Sequence, residues 1–202
     1  MNDDNSGDAR EMLDLIDGQQ RRVDRGLRLP VVWLYSIWAF AWLVGFLALY
    51  LAVLGVFDPV AAGIVFAVLI VASIVASAVI GSRIGRGLRG QSQFAGTVYG
   101  ISWSVCSIAF ALLGTGLLAQ GMPDDLAGIY FPSAYALMCG TLYLGGAALW
   151  HDTVQLVLGL ALLVVGAVVP FLGLGPNLLV LAIAAAVIFG SGAVITARSL
   201  RS

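Results

Sequence analysis

Residues 60–81 read VAAGIVFAVLIVASIVASAVIG, an unbroken apolar run without a charged residue, softened only by small serines, alanines and glycines. A helix needs about 20 such residues to cross the ~30 Å hydrocarbon layer of a bilayer, and this run meets that length. Its hydrophobicity is continuous rather than alternating, which excludes a membrane-barrel strand. In lipid the backbone must then satisfy its own hydrogen bonds as a helix. Stretches at 31–56, 96–119, 129–150, 155–175 and 177–197 repeat the pattern. The expected fold is all-α, a polytopic membrane protein with six transmembrane helices preceded by an N-terminal cytoplasmic amphipathic helix.

Composition agrees. The chain has 202 residues, 60% hydrophobic and 10% charged, with mean hydropathy +0.99, whereas soluble domains run near ~45–50% apolar and ~25% charged. The breaks between runs carry turn-forming residues: FDP at 57–59, SRIGRGLRGQSQ at 82–93, QGMPDDLAG at 120–128, WHDTVQ at 150–155 and GLGPN at 173–177. Two regions follow, a segment at 1–29 and a six-helix domain at 30–202.

Charge sets the expected orientation. Every basic residue is arginine, and all lie outside the apolar runs. Arg21, Arg22, Arg25 and Arg28 precede the first run, Arg83, Arg86 and Arg89 follow the second, and Arg198 and Arg201 follow the sixth. With six spans these fall on one side, which the positive-inside rule makes cytoplasmic; the opposite loops hold Asp58, Asp124 and Asp125. The expected location is the cell membrane, multi-pass, with both termini cytoplasmic. Arg83, Arg86 and Arg89 suit anionic lipid headgroups. No aromatic residue interleaves with them, so nucleic acid is not an expected partner.

The first 29 residues differ in kind. Met12, Ile16, Val23 and Leu27 form a narrow apolar stripe on a helix, with Asp8 and Glu11 spaced as a capping box. The acidic start and the long apolar run that follows do not fit a secretory signal. An interfacial helix on the cytoplasmic leaflet is expected, with a partly disordered tail as the alternative.

A charge at the bilayer centre costs at least ~2.5–3.5 kcal/mol and marks proton or ion coupling. None of the six runs contains one in its interior, which argues against an ion-coupled carrier. His151 stands beside Asp152, but neighbours on a helix point about 100° apart, so the pair reads as a loop feature rather than a catalytic dyad. Cys106 and Cys139 sit in separate apolar runs, without CxxC spacing. No catalytic residue, metal site or cofactor is expected, and the chain reads as non-enzymatic.

Small residues recur at helical spacing: Ser73, Ser77, Gly81 and Gly85; Gly96, Gly100 and Ser104; Ala136 and Gly140; Ala182, Ala186 and Gly190. Such faces let helices approach closely in lipid, either within the bundle or at a homodimer seam. Gly159, Gly166 and Gly173 follow at heptad spacing, with Pro170 expected to kink the fifth run.

The candidate cavity or packing face lies in WLYSIWAFAW at 33–42. Trp33 and Tyr35 fall within a turn of the arginine-rich start, where aromatic side chains anchor helices. Trp38 and Trp42 lie about 10 and 16 Å past the helix entry at ~1.5 Å per residue, and their indole N–H groups need protein partners. Tyr35, Trp38, Trp42 and Phe46 form one stripe. Cys106 and Cys139 fall at mid-bilayer depth among Ser102, Ser107 and Thr141.

Three stretches resemble a group of six-span membrane proteins of high-GC, actinobacterial-type bacteria without an assigned activity: LYSIWAFAWLVGF, YLGGAALWHDTVQLVLG and GLGPNLLVLAIAAAVIFGSG. The resemblance implies a regulated membrane component, often beside a winged-helix regulator, and carries no catalytic or binding residue. Two functions therefore stand. One is an accessory or regulatory membrane protein, whose partners are membrane lipids and a second copy or another membrane protein. The other is a small permease, facilitator or exporter subunit for a neutral or apolar solute, with Tyr35, Trp38, Trp42, Cys106 and Cys139 facing a shared cavity.

Overall fold

The structure, a computed structural model, describes residues 29–84 and 91–200. Among them every regular element is helical: α1 (Leu29–Val53), α2 (Pro59–Ile84), α3 (Gln91–Ala119), α4 (Asp124–Trp150), α5 (Thr153–Val168), a 3-10 turn (Val169–Leu172) and α6 (Leu174–Arg198). The N-terminal amphipathic segment, Gly85, Arg86, Arg89 and Arg201 lie outside the described residues.

Local chemistry sets the ends of these helices. Asp58 Oδ1 accepts from the backbone N–H of Ala61 at 2.8 Å and Pro59 opens α2, a position where its missing N–H costs nothing. Asp124 and Asp125 occupy the first turn of α4, where carboxylates favour the positive end of the helix dipole. The same helix closes on His151 in the left-handed region (φ 54°), its N–H donating to Ala147 O. Asp152 then caps α5, accepting from the backbone N–H groups of Val154 (2.8 Å) and Gln155 (3.2 Å). His151 and Asp152 are thus the C-cap and N-cap of two successive helices.

Helices extend into the expected breaks at 82–93, 120–128, 150–155 and 173–177, and the last changes most. The GLGPN stretch is not a loop: α6 begins at Leu174 and takes Pro176 into its first turn, where proline is tolerated. The reversal is made instead by the 3-10 turn, with Pro170 at its start, and by Gly173 at φ 79°, a conformation most side chains avoid.

Neighbouring helices run antiparallel. Gly140 of α4 meets Gly159 of α5, Gly192 of α6 meets Leu158 of α5, Tyr135 of α4 meets Ser107 of α3, and Trp38 of α1 meets Ser77 of α2. The start of α1, the end of α2 with Arg83 and the end of α6 with Arg198 consequently share one end of the bundle. Asp58, Asp124 and Asp125 belong to the other.

Five helices are long and apolar enough to cross a membrane: Leu29–Val53, Pro59–Arg83, Gln93–Ala119, Thr153–Leu172 and Leu174–Arg198. Their outward faces are apolar, as Val68 and Ile74 on α2 and Ile108 and Leu112 on α3 illustrate. Exposed apolar surface on this scale is the mark of a membrane protein. Helix α4 is long enough at 27 residues but less apolar, because proline, serine, threonine, tyrosine and glycine interrupt its leucines and alanines. It also packs against α1, α3, α5 and α6, so much of its surface meets protein rather than solvent or lipid. Burial follows the same logic: 44% of the α6 span is enclosed against 6% for α2 and 6% for α3, which makes α2 and α3 the outer helices.

Candidate functional site

The aromatic stripe of α1 enters the middle of the bundle. Tyr35, Trp42 and Phe46 are buried in one core with Met138 and Cys139 of α4, Leu158 and Leu162 of α5, and Leu181, Ala185 and Phe189 of α6. The Trp42 ring meets Phe46 edge-on (5.3 Å, 87°) and Phe189 likewise (5.6 Å, 81°), while Tyr35 stacks on Tyr143 at 6.2 Å. Pairs in such geometries contribute about 0.5–1.5 kcal/mol each beyond their burial. Tyr35 is therefore not an interfacial anchor, although its depth in the sequence suggested one; it points inward, against Tyr143 and Gly192. Trp33 is 61% exposed and remains on the outside.

Trp38 bonds to a different helix. Its Nε1–H donates to Ser77 Oγ at 3.0 Å, so the indole joins α1 to α2. Trp38 accordingly packs at the edge of the core that holds Tyr35 and Trp42 while its N–H reaches α2.

Cys139 is buried and Cys106 packs against the same core, both as free thiols. The hydroxyls near them find short-range acceptors. Ser102 donates to Val98 O (2.8 Å) and Thr141 to Leu137 O (2.9 Å), each one turn back on its own helix. Ser107 Oγ lies 3.8 Å from Met138 Sδ, and its carbonyl accepts from Tyr135 O–H at 2.9 Å, tying α3 to α4. Around the two thiols, then, polar atoms are used for packing.

Small residues fall into two groups. A Cβ added to Gly140 would lie 2.8 Å from Gly159 O, and one added to Gly159 would lie 2.9 Å from Gly140 O; here α4 and α5 touch backbone to backbone. On α3, by contrast, Gly96 and Gly100 have open space where a Cβ would stand, as does Gly81 on α2. On α6 the buried small face is Ala182, Ala185 and Gly192, rotated from the Ala182, Ala186, Gly190 spacing, and Gly190 meets nothing within 4 Å.

Several residues at this centre escaped the sequence reading. Tyr143 joins Tyr35, Trp103 (5.7 Å) and Phe189 (6.1 Å), and Tyr99 continues the series to Trp103 (6.1 Å) and Trp150 (4.8 Å). The signal for Tyr143 was present, since it stands one turn beyond Cys139 on the Ala136 face. Asn177 is wholly buried in α6: its Nδ2 donates to Ser133 Oγ at 3.3 Å, while its Oδ1 has no hydrogen-bond partner among the described residues. Gln155 Oε1 is likewise unpartnered, beside Gly146 and the Tyr99 hydroxyl. Outside the core, an open groove of about 420 Å³ runs between α1 and α2. No group of three or more histidine, cysteine or acidic side chains gathers to hold a metal among the described residues.

No protein-family model, curated protein or solved structure matches the chain.

Proposed function

We propose that the chain is a non-enzymatic integral protein of the cell membrane, with six spans including α4 and both termini cytoplasmic, that acts as an accessory or regulatory component by associating with a second membrane helix. Support for the orientation comes from Arg83 and Arg198, which share the end of the bundle where the arginine-rich N-terminal sequence joins α1. Support for a sixth span comes from α4 itself, a 27-residue helix antiparallel to and packed among the other spans.

The association rests on one contrast. In a bilayer, apolar side chains gain little by leaving lipid for a neighbouring helix, so helices associate through close backbone approach at small residues. Gly140 and Gly159 use that device inside the bundle, whereas Gly96 and Gly100, four residues apart on α3, face open space. A second copy of the chain, or a helix of another membrane protein, fits that face.

The facilitator reading has less support. Tyr35, Trp42, Phe46 and Cys139, where a solute path would run, meet other side chains of the core. Association is tested by placing cysteine at Gly100 in a chain with Cys106 and Cys139 replaced by serine, then oxidising native membranes. A disulfide-linked dimer, or a link to another membrane protein, is expected; a chain that stays monomeric and unlinked overturns the proposal.

A further inference from the structure

The groove between α1 and α2 has a floor and a rim. Buried Ala41 and Ser73 form the floor, Ala72 and Ala76 flank it, and Trp33 and Phe40, both more than half exposed, form the outer rim. It lies beside the line where α1 and α2 touch, at Trp38 with Ser77 and at Phe46 with Phe66. Both hydroxyls in it are already used, Ser36 donating to Val32 O (2.9 Å) and Ser73 to Leu69 O (2.8 Å). The groove is lined almost wholly by apolar atoms and has no hydroxyl hydrogen left to donate, so it suits an apolar occupant.

Its dimensions select among apolar occupants. From Trp33 to Ala41 is about 12 Å at ~1.5 Å per residue, and the groove follows the helix axes. Half of a ~30 Å hydrocarbon layer is about 15 Å, so the groove is close to one leaflet deep. The groove is open along one side, so a transmembrane helix of ~10 Å diameter, which fills roughly 900 Å³ over that length, would lie partly outside it. A single acyl chain is narrow enough.

Charge then selects the headgroup. Arg83 stands seven residues beyond Ala76, hence within about 20° of the same face of α2 and about 10 Å past the groove. Helical side chains lean toward the N-terminus of their helix, which carries Arg83 back toward the groove mouth. Trp33 stands on the facing wall at that same end of the bundle.

We propose that this groove holds one acyl chain of an anionic phospholipid, with Trp33 along its upper part and Arg83 paired with its phosphate. Lipid already surrounds the helix, so burial of the chain adds little selectivity. The headgroup decides it, and one arginine near the surface is worth a roughly fivefold preference for an anionic lipid.

Brominated acyl chains, which quench nearby indoles, report the occupant. The full chain and its Trp33→Phe variant are reconstituted in phosphatidylcholine vesicles containing a minor fraction of brominated phosphatidylglycerol or brominated phosphatidylcholine. The Trp33-dependent quenching should favour phosphatidylglycerol by roughly fivefold. Arg83→Gln should bring the ratio near one, Arg83→Lys should keep it, and Ala72→Leu should weaken quenching by both lipids, with helical content checked for each variant. Equal quenching by the two lipids, or a preference that survives Arg83→Gln, overturns the proposal. So does an absence of Trp33-dependent quenching, which would mean that protein covers the groove, or quenching that Ala72→Leu leaves unchanged.

Discussion

Gly140 and Gly159 face each other across α4 and α5 so closely that each would place a Cβ within 3 Å of the other's carbonyl oxygen. Backbone atoms are part of each obstruction, so a side-chain shift alone cannot relieve it. Gly140→Val or Gly159→Val should therefore force the helices apart and destabilise the fold by more than the ~1–3 kcal/mol usual for overpacking. Gly100→Val, on the open face of α3, should leave the stability of the monomer nearly unchanged. Unfolding titrations with a denaturing detergent in mild micelles would compare the three.

Trp38 and Ser77 make a hydrogen bond between an outer helix and the core of the bundle. Interhelical bonds of this kind average about 0.6 kcal/mol in membrane proteins and reach about 1.7 kcal/mol. A double-mutant cycle with Trp38→Phe and Ser77→Ala should give a coupling energy in that range. A coupling indistinguishable from zero would show that the bond does not hold α2 to α1.

Asn177 and Ser133 form a buried polar pair in which one oxygen is left over. Removing Ser133 alone strands the whole Asn177 amide, at about 1–3 kcal/mol, whereas replacing both partners with apolar groups removes the stranded atoms. Ser133→Ala should thus be more destabilised than the Ser133→Ala, Asn177→Leu double variant in the same titration. The opposite order would mean that the amide has another role.

Cys139 lies inside the core and Cys106 at its edge. A water-soluble maleimide added from either side of sealed vesicles should leave Cys139 unmodified until the protein is denatured, as mass spectrometry of the labelled chain would show. Labelling of Cys139 in the native protein would revive a water-filled path through the centre and, with it, the facilitator reading.

Helix existence was legible in the residues because length and apolarity alone decide it in lipid. Boundaries were less so. The residues of GLGPN suggested a loop, but proline has no N–H to lose in a first turn, and α6 starts at Leu174 instead. The aromatic stripe was legible as a periodicity, yet Tyr35 was placed at the interface by depth alone. Depth gives distance along a helix and says nothing of which neighbour stands beside each face. Ser77 as the partner of Trp38, Phe189 beside Trp42 and Tyr143 beside Tyr35 come from other helices far along the chain.

By itself the sequence determined that this is an all-helical chain with apolar helices of membrane-crossing length, where its arginines cluster, and which faces carry small residues. Those properties depend on single segments, through the length and backbone needs of a helix in hydrocarbon. The tertiary structure decided which small-residue faces are spent inside the bundle and which stay open. It also set α4 at the centre, joined Trp38 to Ser77 of α2, and opened a groove beside α1 and α2. Each of these depends on the rotation of one helix against another, and that rotation is set by backbone contacts such as Gly140 with Gly159, which no single segment contains.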